Sequence, residues 1–131
     1  MSAGTILVAE DSFQISYLIR YLLEREQFRV ELARDGREAE RLIGTIARPN
    51  LAILDIMLPQ VDGFALLERI RSREDWVGVP VIMLSGISQE QRIAQALQAG
   101  ASDYLVKPFK PDALVAVVKR WASPGAFMPP A

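Results

Sequence analysis

Short runs rich in β-branched and other apolar residues alternate along this chain with segments in which apolar residues recur every three or four positions. The first pattern suits strands in a buried sheet, and the second suits helices that lay one stripe on a core. Runs at Thr5 to Ala9, Phe28 to Ala33, Leu51 to Asp55, Val79 to Ser85 and Tyr104 to Val106 predict five strands. A helical stripe follows each run: Ile15, Leu18, Ile19, Leu22 and Leu23 after the first, and Ala39, Leu42, Ile43 and Ile46 after the second. Phe64, Leu67 and Ile70 follow the third, Ile93, Ala96 and Leu97 the fourth, and Leu114, Val118 and Trp121 the last. Turn and cap signals fall between these elements. Asp35-Gly36 and Asp62-Gly63 open helices, Arg48-Pro49 ends one, Pro59 sits in a loop and Gly100 closes the fourth helix. Strands and helices in strict alternation predict an α/β protein with a parallel sheet.

The runs also differ in a way that orders the sheet. Strands covered on both faces read as unbroken apolar stretches, as in ILV, LAIL and VIML, whereas Phe28-Arg29-Val30-Glu31-Leu32 alternates strictly. The second strand is therefore expected at an edge. With right-handed crossovers this predicts a flavodoxin-like, doubly wound five-stranded parallel sheet of order 2-1-3-4-5 with five helices. One domain over residues 1–121 accounts for the pattern, and ASPGAFMPPA at 122–131 reads as a Pro-rich tail or linker stub.

Composition narrows the chemistry. A chain of 131 residues that is 50% hydrophobic supports one core. Lys and Arg total 15 against 16 Asp and Glu, so the broad positive field of a nucleic-acid binder is absent, and no direct nucleic-acid contact is expected. With neither Cys nor His, any metal must be a hard cation held by oxygen. The opening MSAGTILVAED carries no basic leader and no stretch is long enough to span a bilayer, so a soluble, cytoplasmic location away from membranes is expected.

In the predicted strand order the C-terminal ends of strands 1, 3, 4 and 5 lie side by side. There stand Glu10-Asp11, Asp55, Ser85 and Lys107. Open α/β sheets take ligands where the strand order reverses, here between strands 1 and 3. Each residue alone has a bland reading: Asp11 or Ser12 as a helix cap, Asp55 as a turn opener, Ser85 as a loop hydroxyl, Lys107 as a snorkelling edge residue. Their convergence on one crevice favours function. Two like charges about 4 Å apart repel by about 4 kcal/mol at an effective dielectric of about 20, so three carboxylates there call for a cation. Magnesium with retained waters suits oxygen ligands around a phosphoryl group, with Lys107 neutralising a phosphoryl oxygen and Ser85 donating to it. Asp55 needs no general base, because a carboxylate nucleophile is already ionised.

The pieces ILVAED, LAILDIMLPQVDG, VIMLSG and DYLVKPF, in this order and spacing, resemble a response-regulator receiver domain over roughly residues 5 to 121. The resemblance implies a two-component phosphorylation switch in which Asp55 accepts phosphate from a sensor histidine kinase or phosphotransfer protein. It implies magnesium held by Asp11, Asp55 and the backbone carbonyl of Met57, with Glu10 acting through water. Ser85 becomes the switch hydroxyl, Tyr104 the switch aromatic and Lys107 the phosphate partner, with Lys107-Pro108 cis. Met57 and Ile87 occupy the two positions that tune hydrolysis in this family. No enzyme turnover is implied beyond the domain's own phosphorylation and dephosphorylation. DIMLP resembles the subfamily usually joined to a winged-helix DNA-binding domain and dimerising through helix 4, strand 5 and helix 5. A homodimer through that face is thus an expectation, although Val115 and Val117 replace the charges usual there and either extend that face or merely flank the core. Two rivals remain: a phosphorylation-independent pseudo-receiver, and a haloacid-dehalogenase-like phosphatase whose DxD signature is missing at Asp55-Ile56-Met57.

Overall fold

A computed structural model describes residues 3–86 and 90–122 of the chain. Its elements are β1 (Gly4–Ala9), α1 (Phe13–Arg25), β2 (Phe28–Ala33), α2 (Gly36–Thr45), β3 (Leu51–Asp55), α3 (Gly63–Ser72), β4 (Val81–Gly86), α4 (Glu90–Gln98), β5 (Asp103–Lys107) and α5 (Pro111–Ala122). The five strands form one parallel sheet in the order β2-β1-β3-β4-β5. Two cores result from the alternation of side chains along the strands. Ile6, Val8, Ile53, Ile82 and Leu84 point to α1 and α5, while Leu7, Leu54, Ile56, Val81 and Met83 point to α2, α3 and α4. The ILV, LAIL and VIML runs are fully buried, as their unbroken apolar character predicts. β2 alternates over its first half, with Phe28 and Val30 buried and Arg29 exposed, while Glu31 and Leu32 are both half-buried and Ala33 is buried.

Several boundaries and stripes differ from the sequence expectation. β4 begins at Val81 rather than Val79, because the Val79 amide closes a turn onto the Trp76 carbonyl (2.9 Å) and Pro80 has no N–H to donate. β5 spans Asp103–Lys107, wider than the apolar run Tyr104 to Val106, since ladder pairing recruits its polar ends. In α3 the buried positions are Leu66, Leu67 and Ile70, with Phe64 only half-buried at the rim. In α4, Ile93 and Ala96 face the core but Leu97 is 41% exposed. Val115 and Val117 are half-buried against the α1/α5 core, which is the flanking role rather than an outward apolar face.

Local chemistry sets the helix starts that frame the crevice. Ser12 caps α1 by accepting from the Ile15 amide, Asp35 caps α2 from Glu38, and Asp62 caps α3 from Ala65. Gly36 and Gly63 donate their amides to Pro59 and Ile56 carbonyls, both at 3.1 Å. A Cβ at Gly63 would press on the Asp55 carbonyl, and one at Gly36 on the Val61 backbone. The two Asp-Gly pairs thus bring the starts of α2 and α3 flush against the loop after β3.

Candidate functional site

The C-terminal ends of four strands deliver the candidate residues to one place. Glu10 directly follows β1, its amide still bonded to the Ala33 carbonyl of β2 (3.0 Å). Asp55 ends β3, and the following Ile56 amide bonds Leu84 of β4 (2.9 Å), which holds the β3 and β4 ends in register. Ser85 lies near the end of β4, paired with Val106, and Lys107 ends β5. These ladders are rigid, so the side chains they carry start from fixed positions.

Lys107 joins the group. Its Nζ donates to Asp55 Oδ2 at 2.8 Å and to Glu10 Oε1 at 3.0 Å. Asp55 is 3% exposed and Glu10 fully buried. Asp55 Oδ1 accepts from the Met57 amide (3.0 Å) and Glu10 Oε2 from the Ser12 amide (2.8 Å). Carboxylate oxygens of Glu10, Asp11 and Asp55 lie within 4.8 Å of one another, with Asp11 open to solvent. Burial of Glu10 raises its carboxyl from 4.5 to about 7; the Ser12 amide and Lys107 work against that rise and the Asp55 charge adds to it. For Lys107 burial acts against the charge, but hydrogen bonds and charge from Asp55 and Glu10 outweigh it, and its pKa lies above the ordinary lysine value.

Ser85 is buried, and its Oγ has no hydrogen-bond partner among the described residues. A buried hydroxyl left without a partner costs on the order of 1–3 kcal/mol. Met57 stands 53% exposed and Tyr104, on the edge strand, 42% exposed with its ring outward. Ile87 lies outside the described residues. The Lys107-Pro108 peptide is cis. Two features escaped sequence reasoning. Lys107 bridges to Glu10 as well as to Asp55, and Arg92 of α4 reaches over the crevice to Met57 Sδ (3.2 Å). No spacing signal marks either one, because the first needs the side-chain path across the sheet and the second a helix placement.

The donor set is oxygen-only and clustered at an open rim, which fits a hard divalent cation with retained waters. Among the described residues no helix is long and apolar enough to cross a membrane.

Comparison with known proteins agrees with this geometry. The sequence model of the response regulator receiver domain matches residues 6–119. The chain is 44% identical over 115 residues to the phosphate regulon transcriptional regulatory protein PhoB of Rhizobium meliloti, covering 87% of this chain and 50% of that protein. It is 39% identical over 114 residues to the DNA-binding dual master transcriptional regulator RpaA of Synechocystis, covering 87% of this chain and 47% of that protein. The chain thus spans about half the length of these curated relatives. Among solved structures, the receiver domain of a signal transduction histidine kinase from Syntrophus aciditrophicus superposes with a TM-score of 0.82 at 36% identity, covering 92% of this chain and 90% of that one. The chemotaxis response regulator CheY4 of Vibrio cholerae superposes at 0.83 with 29% identity, covering 89% and 97%. With its 2-1-3-4-5 sheet and acidic crevice, this chain belongs to the response regulator receiver domain family.

Proposed function

We propose that this chain is the phosphoacceptor switch of a two-component system, taking a phosphoryl group on Asp55 from a phosphohistidine of a sensor histidine kinase or phosphotransfer protein. The observation that carries this reading is the Lys107 ammonium held 2.8 Å from Asp55 at the strand ends, where β4 also brings the buried Ser85, whose hydroxyl has no partner among the described residues. Asp11 and Asp55, with the Met57 carbonyl, would hold Mg2+, and Glu10 would support it from the same acidic cluster. The ion supplies charge neutralisation of the phosphoryl oxygens. An Asp55 carboxylate oxygen bonds to phosphorus while the bond from phosphorus to the donor nitrogen breaks. The electron pair leaves with the imidazole, and the Lys107 ammonium shifts onto a phosphoryl oxygen.

The switch follows from two neighbours. Ser85 moves to donate to the new phosphoryl group, which satisfies its orphaned hydroxyl, and Tyr104 turns into the vacated space from its exposed position. The α4/β5/α5 face changes as a result and presents itself to an output domain or a second copy. Met57 at the mouth, and Ile87 by its place in the sequence, offer no group able to orient a hydrolytic water, so the phosphorylated state is expected to be long-lived.

Incubation with acetyl phosphate and Mg2+, followed by intact mass measurement, tests the reading against its rivals. One stable phosphoryl group that is lost in Asp55→Asn or without Mg2+ supports the switch. No label indicates a pseudo-receiver, and sustained release of phosphate indicates a phosphatase.

Ser85→Ala supplies a further prediction. Because Oγ has no partner among the described residues, the substitution should leave stability unchanged or raise it by up to about 1 kcal/mol. The same variant should lose the response of the Tyr104 ring to beryllofluoride, as followed by the ring proton signals in nuclear magnetic resonance. A stability loss above about 1 kcal/mol with a normal ring response would contradict the role given to Ser85.

A further inference from the structure

A groove of about 440 Å³ opens beside the acidic crevice, lined by Asp11, Met57, Leu58, Pro59, Asp62 and Arg92. Two carboxylates rim it, and Arg92 is the single cation in its lining. Arg92 is held there by weak contacts: Nη1 to the Met57 sulfur at 3.2 Å, and the guanidinium carbon 5.2 Å from the Phe64 ring centre. It makes no ion pair with a carboxylate among the described residues. A thioether is a poor acceptor and an aromatic face a modest partner, so among the described residues nothing competes strongly for the guanidinium's donors. Met57 connects this cation to the chemistry, since its amide holds Asp55 Oδ1 at 3.0 Å. The other cation of the site, Lys107, is committed to Asp55 and Glu10 on the far side.

Resting on the phosphoacceptor reading, we infer that Arg92 is a specificity-determining residue that favours phosphodonors whose leaving group departs as an anion, the acyl phosphates. With such a donor, an Asp55 oxygen bonds to phosphorus as the phosphorus–oxygen bond to the acyl group breaks. The carboxylate leaves with the electron pair and needs no proton. Its negative charge develops in the groove, where Asp11 and Asp62 repel it and Arg92 offsets them with a bidentate match of guanidinium to carboxylate. Phosphoramidate reacts with its nitrogen already protonated to –NH3+, so the phosphorus–nitrogen bond breaks with its electron pair going to nitrogen, ammonia leaves uncharged, and Arg92 has no new charge to meet. Arg92 meets the leaving group and the Met57 side chain but pairs with none of the carboxylates of the acidic crevice among the described residues, so its removal leaves the acceptor carboxylate and Lys107 in place.

The test compares the rates at which acetyl phosphate and phosphoramidate phosphorylate the full chain, Arg92→Ala and Arg92→Lys, at saturating Mg2+. Arg92→Ala is expected to slow the acetyl phosphate reaction about tenfold while the phosphoramidate rate changes less than about twofold. Arg92→Lys should keep part of the preference, since it restores the charge without the bidentate fork, and added salt should erode it more in the unmutated chain than in Arg92→Ala. The phosphoramidate rate reports the integrity of the fold within the same experiment. Equal losses with both donors, or no loss with either, overturn the role of Arg92 while the phosphoacceptor reading stands. Failure of both donors to label the unmutated chain overturns that reading and this inference with it.

Discussion

Lys107→Ala should lower the stability of the magnesium-free protein by about 2–4 kcal/mol at a pH of about 8, above the value of about 7 to which the Glu10 carboxyl is raised. In the folded protein one ammonium, with its side chain 20% exposed, compensates a fully buried carboxylate and a nearly buried one. Truncation removes the cation and leaves the two acids facing each other with only the Ser12 and Met57 amides to stabilise them. Relief comes from protonation, so the loss should shrink about two pH units lower, where Glu10 keeps its proton. It should shrink as well on adding Mg2+, because an ion at about 100 times its dissociation constant contributes about 2.7 kcal/mol by mass action. Urea denaturation at both pH values, with and without Mg2+, measures all three effects. A loss below about 0.5 kcal/mol at the higher pH would show that the acids do not depend on Lys107.

The second large effect concerns Glu10 and pH. Its carboxyl is raised from 4.5 to about 7 in the folded chain, so below 4.5 both folded and unfolded states hold the proton. As pH rises from 4.5 to about 7 the unfolded state releases it first. The stabilisation is therefore present in full below 4.5 and is lost on the way to about 7, where the folded state also ionises. A tenfold difference in proton affinity corresponds to about 1.4 kcal/mol, which gives about 3 kcal/mol across that window without Mg2+. Glu10→Gln should flatten this slope, and a Glu10→Gln curve parallel to the parent would contradict the assignment. The same proton competes with the metal. Apparent Mg2+ affinity should thus climb with pH to about 7 and level off above it, with proton release detectable by calorimetry in buffers of different ionisation enthalpy.

Much of this was legible in the sequence because the decisive signals are local. Unbroken runs such as LAIL require burial on both faces, strict alternation at Phe28 to Leu32 requires an edge, and together they order the sheet. Once the order is known, the strand ends place Glu10, Asp11, Asp55, Ser85 and Lys107 together without further information. What was not legible depends on packing between distant segments. Trp76 sits in the polar stretch Arg73-Glu74-Asp75-Trp76, which reads as an exposed loop, yet it is fully buried with Arg73 stacked 5.0 Å from its ring. Leu97 fits a helical stripe as well as Ala96 does, yet Ala96 is the one that packs into the core and Leu97 stays exposed. Arg92 looks like any solvated helix residue until α4 is placed over Met57.

Everything proposed for the switch depends on Asp55 carrying the phosphoryl group as an acyl phosphate. The most direct measurement is borohydride reduction of the chain after incubation with acetyl phosphate and Mg2+, followed by peptide sequencing through mass spectrometry. Reduction converts an aspartyl phosphate to homoserine, so homoserine is expected at position 55, with Asp11 and Asp62 unmodified. Homoserine at another aspartate, or a phosphate that resists borohydride on a serine or threonine, would contradict it.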